Sequence, residues 1–157
     1  MAQFEIKDGV AIIPEGTTTI GAQAFYGCEE LQSVVIPEGI TMIAHGTFSR
    51  CTELQNVVIP EGVVEIDYGA FAMCYALCSI VFPASLKRIA HNAIALCKSL
   101  EEITFKGRVE VEEGCSIFSR IYDNEWGNLK AIKVPSADVE FYKEHLPQVV
   151  RHLVVGE

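Results

Sequence analysis

Apolar residues along this chain return in phase every 23 positions. Leu31, Leu54, Leu77 and Leu100 share one slot, and Val34, Val57, Ile80 and Ile103 share the next. Ile36, Ile59, Phe82 and Phe105 share the one after. The phrase Leu-x-x-Val-x-Ile alternates at its end as a half-buried strand does. Pro14, Pro37, Pro60 and Pro83 follow it at once, and proline has no N–H to give to a strand ladder. Gly16, Gly39 and Gly62 fit a turn position that needs positive φ. Ser85 stands in the fourth copy, so the fourth turn is expected to differ. Ile20, Ile43, Ile66 and Ile89 then predict a second short strand or extended piece. Ala24-Phe25, Thr47-Phe48, Ala70-Phe71 and Ala93-Ile94 lead into Cys28, Cys51, Cys74 and Cys97. Phe and a Cys three residues later share a face of one helical turn. The pattern therefore predicts short helices or 3₁₀ turns over 22–28, 45–51, 68–74 and 91–97.

A fixed period in this range marks a solenoid. Four coils, 13–35, 36–58, 59–81 and 82–104, are expected to stack their strands into one parallel sheet with the short helices or 3₁₀ turns outside. The fold class is thus an α/β solenoid, read as a single domain over 1–157. Residues 1–12 read as an N-terminal cap, a hairpin in which Phe4–Ile6 and Val10–Ile12 flank the tight-turn pair Asp8-Gly9. The repeats run over 13–135. The fifth is irregular, because Leu100 to Leu129 spans 29 residues, and the extra length falls near 121–128. Leu129, Ile132, Val134 and Pro135 restore the phrase. Residues 136–157 read as a C-terminal cap, with Ser136 as N-cap of a helix over 137–145 and a last strand over 149–155.

Composition narrows the partners. The formal charge is −9, which argues against nucleic acid and anionic membrane, since both select a basic face. No stretch is long and apolar enough to insert in a bilayer, and residues 1–9 do not read as a signal peptide. Four of the six cysteines keep the repeat's phase. They read as small buried side chains stacked coil on coil, and not as a disulfide framework or zinc site. Cys78 and Cys115 lie off that ladder and are expected to be less protected.

The succession Ile36-Pro37-Glu38-Gly39, Ile43, Phe48, Cys51, Leu54 and Val57 resembles the BspA-like, or Treponema-type, leucine-rich repeat. The likeness extends over about residues 10–135. The run Val134-Pro135-Ser136-Ala137-Asp138-Val139-Glu140-Phe141-Tyr142-Lys143 resembles that family's usual close. The resemblance implies a right-handed β-α superhelix with a concave parallel sheet. It also implies a bacterial, or less often protozoan, protein that binds host or matrix proteins at a cell surface. It brings no catalytic residues.

Two outward rows of the strand phrase carry the candidate site. One reads Ile12, Val35, Val58, Val81, Thr104, Lys133, and the other Val10, Ser33, Asn56, Ser79, Glu102, Ala131. An apolar stripe on an exposed sheet can mark a partner surface, although β-branched residues also simply suit strands. The expected contact is Val35, Val58 and Val81, flanked by Asn56 and Glu102. Tyr122 and Trp126 form a second candidate contact, as aromatic anchors do at interfaces. Glu15, Glu38 and Glu61 form an acidic row, and one carboxylate per coil is a poor calcium cage. His45 and His91 lie two coils apart, too far to share a metal, and His145 and His152 have no ligand cluster at usable spacing. No metal or cofactor is therefore expected, and no phosphate loop or hydrolase motif occurs. The chain reads as a non-enzymatic module for a protein ligand. The alternatives are a self-associating structural repeat and, last, a thiol-dependent enzyme on Cys78 or Cys115, for which stacked coils provide no evident pocket.

Overall fold

The structure is a computed structural model that describes residues 4–110 and 128–157. It opens with β1 (Glu5–Lys7) and β2 (Val10–Ile12), paired antiparallel. Asp8 and Gly9 join them with φ of 51° and 78°, the left-handed pair that matches the twist of a tight hairpin. The coils then alternate a strand on the Leu-x-x-Val-x-Ile phrase with a two-residue strand. These are β3 (Ser33–Val35) and β4 (Met42–Ile43), β5 (Asn56–Val58) and β6 (Glu65–Ile66), and β7 (Ser79–Phe82) and β8 (Arg88–Ile89). β9 (Glu102–Phe105) and β10 (Ala131–Val134) continue the first series.

The register is the repeat itself: Val34 lies opposite Val57, Ile66 opposite Ile89, and Ile80 opposite Ile103. Every inward slot therefore meets its own copy. Leu31, Leu54, Leu77 and Leu100 are buried, as are Ile43, Ile66 and Ile89 and the Thr17-equivalent residues Ile40, Val63, Leu86 and Val109. Each large apolar side chain so buried contributes roughly 1.5–3 kcal/mol.

The expected single parallel sheet is divided. β1-β2-β3-β5 form one four-stranded sheet, and β7-β9-β10 with a final strand form a second. The short strands β4, β6 and β8 make a third, three-stranded sheet. The seam lies between β5 and β7, where Val57 is half-buried while Val34, Ile80 and Ile103 are buried. It coincides with the change from Ile36 and Ile59 to Phe82 and Phe105 in one inward slot.

The segments expected as short helices are hydrogen-bonded turns instead. Alternate N–H groups close turns within the coil: Ala24 to Gly21 O at 3.2 Å and Tyr26 to Gln23 O at 3.0 Å. The others leave the coil: Gln23 N–H reaches His45 O, Phe25 reaches Thr47 O and Gly27 reaches Ser49 O, each at 2.9 Å. A helix would direct all of them along its own axis. The alternation requires left-handed residues at Gln23, Gly46, Gly69 and Asn92, with φ between 58° and 61°. A second such set falls at Gly27, Arg50, Met73 and Leu96.

Two aromatic stacks run along the coils. Phe4, Phe25, Phe48 and Phe71 lie with successive centroids 5.8, 5.2 and 5.3 Å apart. Phe82, Phe105 and Tyr142 continue on the strand side at 5.1 and 4.9 Å. Tyr142 ends that stack fully buried, donating to Gly107 O at 2.5 Å and accepting from Val109 N–H at 3.1 Å. Burial pushes its phenol well above the usual range.

The C-terminal part also departs from expectation. Residues Ser136–Asp138 form a 3₁₀ turn, and α1 (Val139–His145) starts after it. The Ser136 hydroxyl does not cap the helix; it donates to Glu157 O at 3.0 Å. Gln148–Leu153 is 3₁₀, leaving β11 (Val154–Gly156) as a shorter strand that pairs parallel with β10. The inserted stretch near 121–128 lies, but for Asn128, outside the described residues.

Replacing Phe71 by alanine removes one member of a stack whose neighbours cannot close in without losing register. Phe71→Ala should cost ~3–5 kcal/mol, read as a fall in the urea midpoint at unchanged m-value. Val149→Ala on the exposed 3₁₀ turn should stay within about 0.5 kcal/mol.

Candidate interaction surface

Strand alternation turns one side chain in two away from the core, and the 23-residue register aligns these into rows. Ile12, Val35, Val58 and Val81 are 51, 60, 59 and 39 % exposed. Val35 lies directly opposite Val58, while Val81 stands across the seam, opposite Thr104. The row ends in Thr104 and Lys133, and Val155 takes the next place on β11. Val155 is exposed as well, an extension of the row that sequence spacing did not reveal because β11 follows a 3₁₀ turn.

The two flanking residues differ from each other. Asn56 is exposed opposite Ser33, as an outward strand residue should be. Glu102 is engaged: Lys133 Nζ lies 3.0 Å from its carboxylate and 3.0 Å from that of Glu157. Glu157 and then Glu102 hold the Lys133 amino group above its ordinary range. The far end of the face is thus a cluster of two carboxylates sharing one ammonium. Tyr122 and Trp126 lie outside the described residues.

One member of the acidic row, Glu61, serves a turn. Glu61 accepts Ala84 N–H at 3.2 Å and Ser85 N–H at 3.1 Å on its two oxygens. The Ser85 hydroxyl accepts Gly62 N–H at 2.9 Å and donates to Val63 O at 2.8 Å. The fourth turn therefore differs as Ser85 predicts, and Ser85 stitches it to the third. These N–H donors, Ala84 first, hold the Glu61 carboxyl below its ordinary value. Among the described residues, no three His, Cys, Asp or Glu side chains cluster to hold a metal.

The cysteine ladder does more than fill space. Cys51, Cys74 and Cys97 are buried, and each thiol donates to a carbonyl of the preceding coil, Phe25 at 3.0 Å, Phe48 at 3.2 Å and Phe71 at 3.2 Å. Spacing gave no sign of this bond, because the acceptor lies 26 residues back. Burial pushes the Cys51 thiol up to about 12. The neighbouring Cys97 thiol, then burial, raises Cys74 well above the usual value. Cys78 is exposed, and Cys115 lies outside the described residues.

His45 stacks on Tyr68 with centroids 5.5 Å apart. His145 stacks on Phe141 at 4.2 Å, its Nδ1 2.7 Å from Phe141 O. No helix among the described residues is long and apolar enough to cross a membrane.

Parallel strands at a 23-residue register, closed by turns that bond from coil to coil, define a leucine-rich repeat array. The sequence pattern of the BspA type leucine rich repeat region matches residues 11–122 in 6 copies, and the chain belongs to that family. Its members are generally non-enzymatic repeat proteins, and the family suggests a protein-interaction or structural module. Among solved structures, a leucine-rich repeat protein from Bacteroides ovatus is 30% identical with a TM-score of 0.61, over 77% of this chain and 30% of that one. A leucine rich cell surface protein from Faecalibacterium prausnitzii is also 30% identical, with a TM-score of 0.73, over 82% and 32%. The T. pallidum Leucine Rich Repeat protein is 27% identical with a TM-score of 0.62, over 79% and 57%. The chain therefore spans about a third of the first two and somewhat over half of the third. No curated protein matches it.

Two outcomes follow from these environments. In protein carrying Cys115→Ser, an alkylating probe at neutral pH should label Cys78 in the native state. It should reach Cys51, Cys74 and Cys97 only after denaturation, as read by mass spectrometry. Secondly, a carboxyl held below its ordinary value of 4.5 stabilises the fold above that pH and loses the contribution as pH falls through its lowered value. Glu61→Gln should therefore lower the melting temperature at pH 7 and flatten its decline below pH 4.5.

Proposed function

We propose that this chain is a non-catalytic protein-interaction module. Its coils wind as one right-handed superhelix whose long-phrase strands line a concave face. The ligand is a protein that covers the row Ile12, Val35, Val58 and Val81. The observation that carries this reading is that row: four β-branched side chains in successive places, all more than a third exposed. A contiguous apolar strip rimmed by polar groups is the pattern of a contact surface. Asn56, Ser33 and Ser79 supply hydrogen-bonding groups along its flank, and the Glu102–Lys133–Glu157 cluster bounds it at one end.

A cell-surface setting in a bacterium, with a host or matrix protein as ligand, accords with the relatives. All three compared structures are bacterial proteins, and one is described as a cell surface protein. The net charge of −9 accords with a protein ligand over nucleic acid or anionic membrane.

Surface plasmon resonance against a panel of purified extracellular-matrix proteins tests this. At least one should bind, and Val58→Glu should weaken it at least about tenfold, ~1.4 kcal/mol, with an unchanged circular-dichroism melt. Equal affinity of the variant for that ligand would sink the assignment of this face. A mass that rises with concentration and reverts to monomer in Val58→Glu would instead identify a second copy of this chain as the occupant.

A further inference from the structure

Across the core from the strand face, the turns carry a groove of about 310 Å³. We propose that it binds a sugar residue bearing a carboxylate, an acidic unit of a glycan. The volume lies at the lower end of the ~300–1,000 Å³ of small-ligand sites, too small for a protein surface to enter.

The floor is built by the repeat. Gly46 and Gly69 occupy the left-handed slot with φ of 58° and 61°, and Ala72 and Ala95 line the floor beside them. In the first and fourth coils the same slot holds Gln23 and Asn92, both at φ 58°. L-residues are therefore tolerated there, and backbone conformation alone does not call for glycine. What glycine at 46 and 69 leaves open is space. A Cβ on Gly46 would meet Gln23 Cγ at 3.3 Å, and one on Gly69 would project beside Ala72 Cβ at 3.9 Å. The groove is thus open over two coils and closed at both ends by an amide side chain.

Its walls are aromatic and held in place. Tyr68 is 47 % exposed and fixed from two sides, stacked on His45 at 5.5 Å and receiving the Asn92 amide on its hydroxyl at 3.2 Å. On the other wall Tyr26, 46 % exposed, lies under the Arg50 guanidinium at 5.9 Å. Flat exposed rings suit the C–H face of a pyranose, and Gln23, Ser49 and the tyrosine hydroxyls suit its hydroxyl groups.

Charge selects the carboxylate. The chain carries 21 acidic and 12 basic residues, yet no Asp or Glu lines this groove, whereas Arg50 does. The adjoining groove on the far side of Arg50 includes Glu29, so acids are excluded from one groove and not from the whole turn face. Arg50 forms no ion pair among the described residues. Its planar fork matches a carboxylate, and such a bond is stronger than one to a neutral hydroxyl.

Saturation-transfer NMR on the full chain tests this with 3′-sialyllactose and digalacturonic acid, and with lactose as the uncharged comparison. Transfer to at least one acidic sugar and not to lactose is expected. Arg50→Gln should weaken it at least about tenfold. Gly69→Asn uses the residue that the fourth coil carries at the same φ, and should abolish transfer with an unchanged melt. Tyr68→Ala should do likewise, so the result does not hang on one variant. Val58→Glu should leave transfer unchanged, which separates this site from the strand face. No transfer from either acidic sugar, equal transfer to lactose, or equal competition by a short polyglutamate peptide would each overturn the proposal, as would undiminished binding by Gly69→Asn.

Discussion

Everything in this fold depends on like meeting like at a 23-residue offset. A single coil is too small to enclose a core, and its turn N–H groups have no complete set of acceptors within it. Stacking resolves both at once. The same displacement that places Phe48 between Phe25 and Phe71 carries Phe25 N–H to Thr47 O and Phe48 N–H to Ala70 O. A residue added to one coil would break the aromatic stack, the strand ladder and the turn ladder together. That joint penalty makes the period strict where coils are sandwiched between neighbours.

The cysteine ladder shows the same constraint at one atom. Leucine or valine would fill the space, but only a small side chain with a donor reaches the carbonyl of the preceding coil. Phe25 O accepts both the Cys28 N–H and the Cys51 thiol, at 3.1 and 3.0 Å. Serine could offer a donor too, but it would bring a more polar hydroxyl into an apolar interior. Cysteine satisfies the carbonyl while behaving otherwise as a small hydrophobe. Burial of Cys51, Cys74 and Cys97 away from solvent accords with a structural and not a reactive role at these positions.

The array also has two unlike outer faces. The strand face sets an apolar row of β-branched residues beside a polar row and ends in an ion-pair cluster. The turn groove is lined by aromatic and amide side chains, with Arg50 and no acid among its lining residues. Nothing in the repeat requires the two to differ in this way, since the conserved geometry concerns inward slots alone. The outward positions are where coils vary, and the variation is what separates a protein-sized surface from a ring-sized groove.

The period, the inward slots, the turn after each proline and the exposed valine row were legible in the sequence, because burial repeats with a short, countable spacing. The Asp8-Gly9 hairpin was legible for a similar reason, since both left-handed residues lie next to each other. Other features were decided only by tertiary structure. The segments around Phe25, Phe48 and Phe71 read as helical from the three-residue offset between Phe and Cys. They became turns because half their N–H groups bond to the next coil, a partner no local propensity contains. Ser136 read as a helix cap and instead meets Glu157, 21 residues on. The seam between β5 and β7, the thiol bonds and the groove beneath Tyr26 and Tyr68 all arise between residues about one period or more apart. Sequence determines which side chains each coil brings to the stack. How neighbouring coils share their hydrogen bonds and leave space between their outer side chains exists only once the stack has formed.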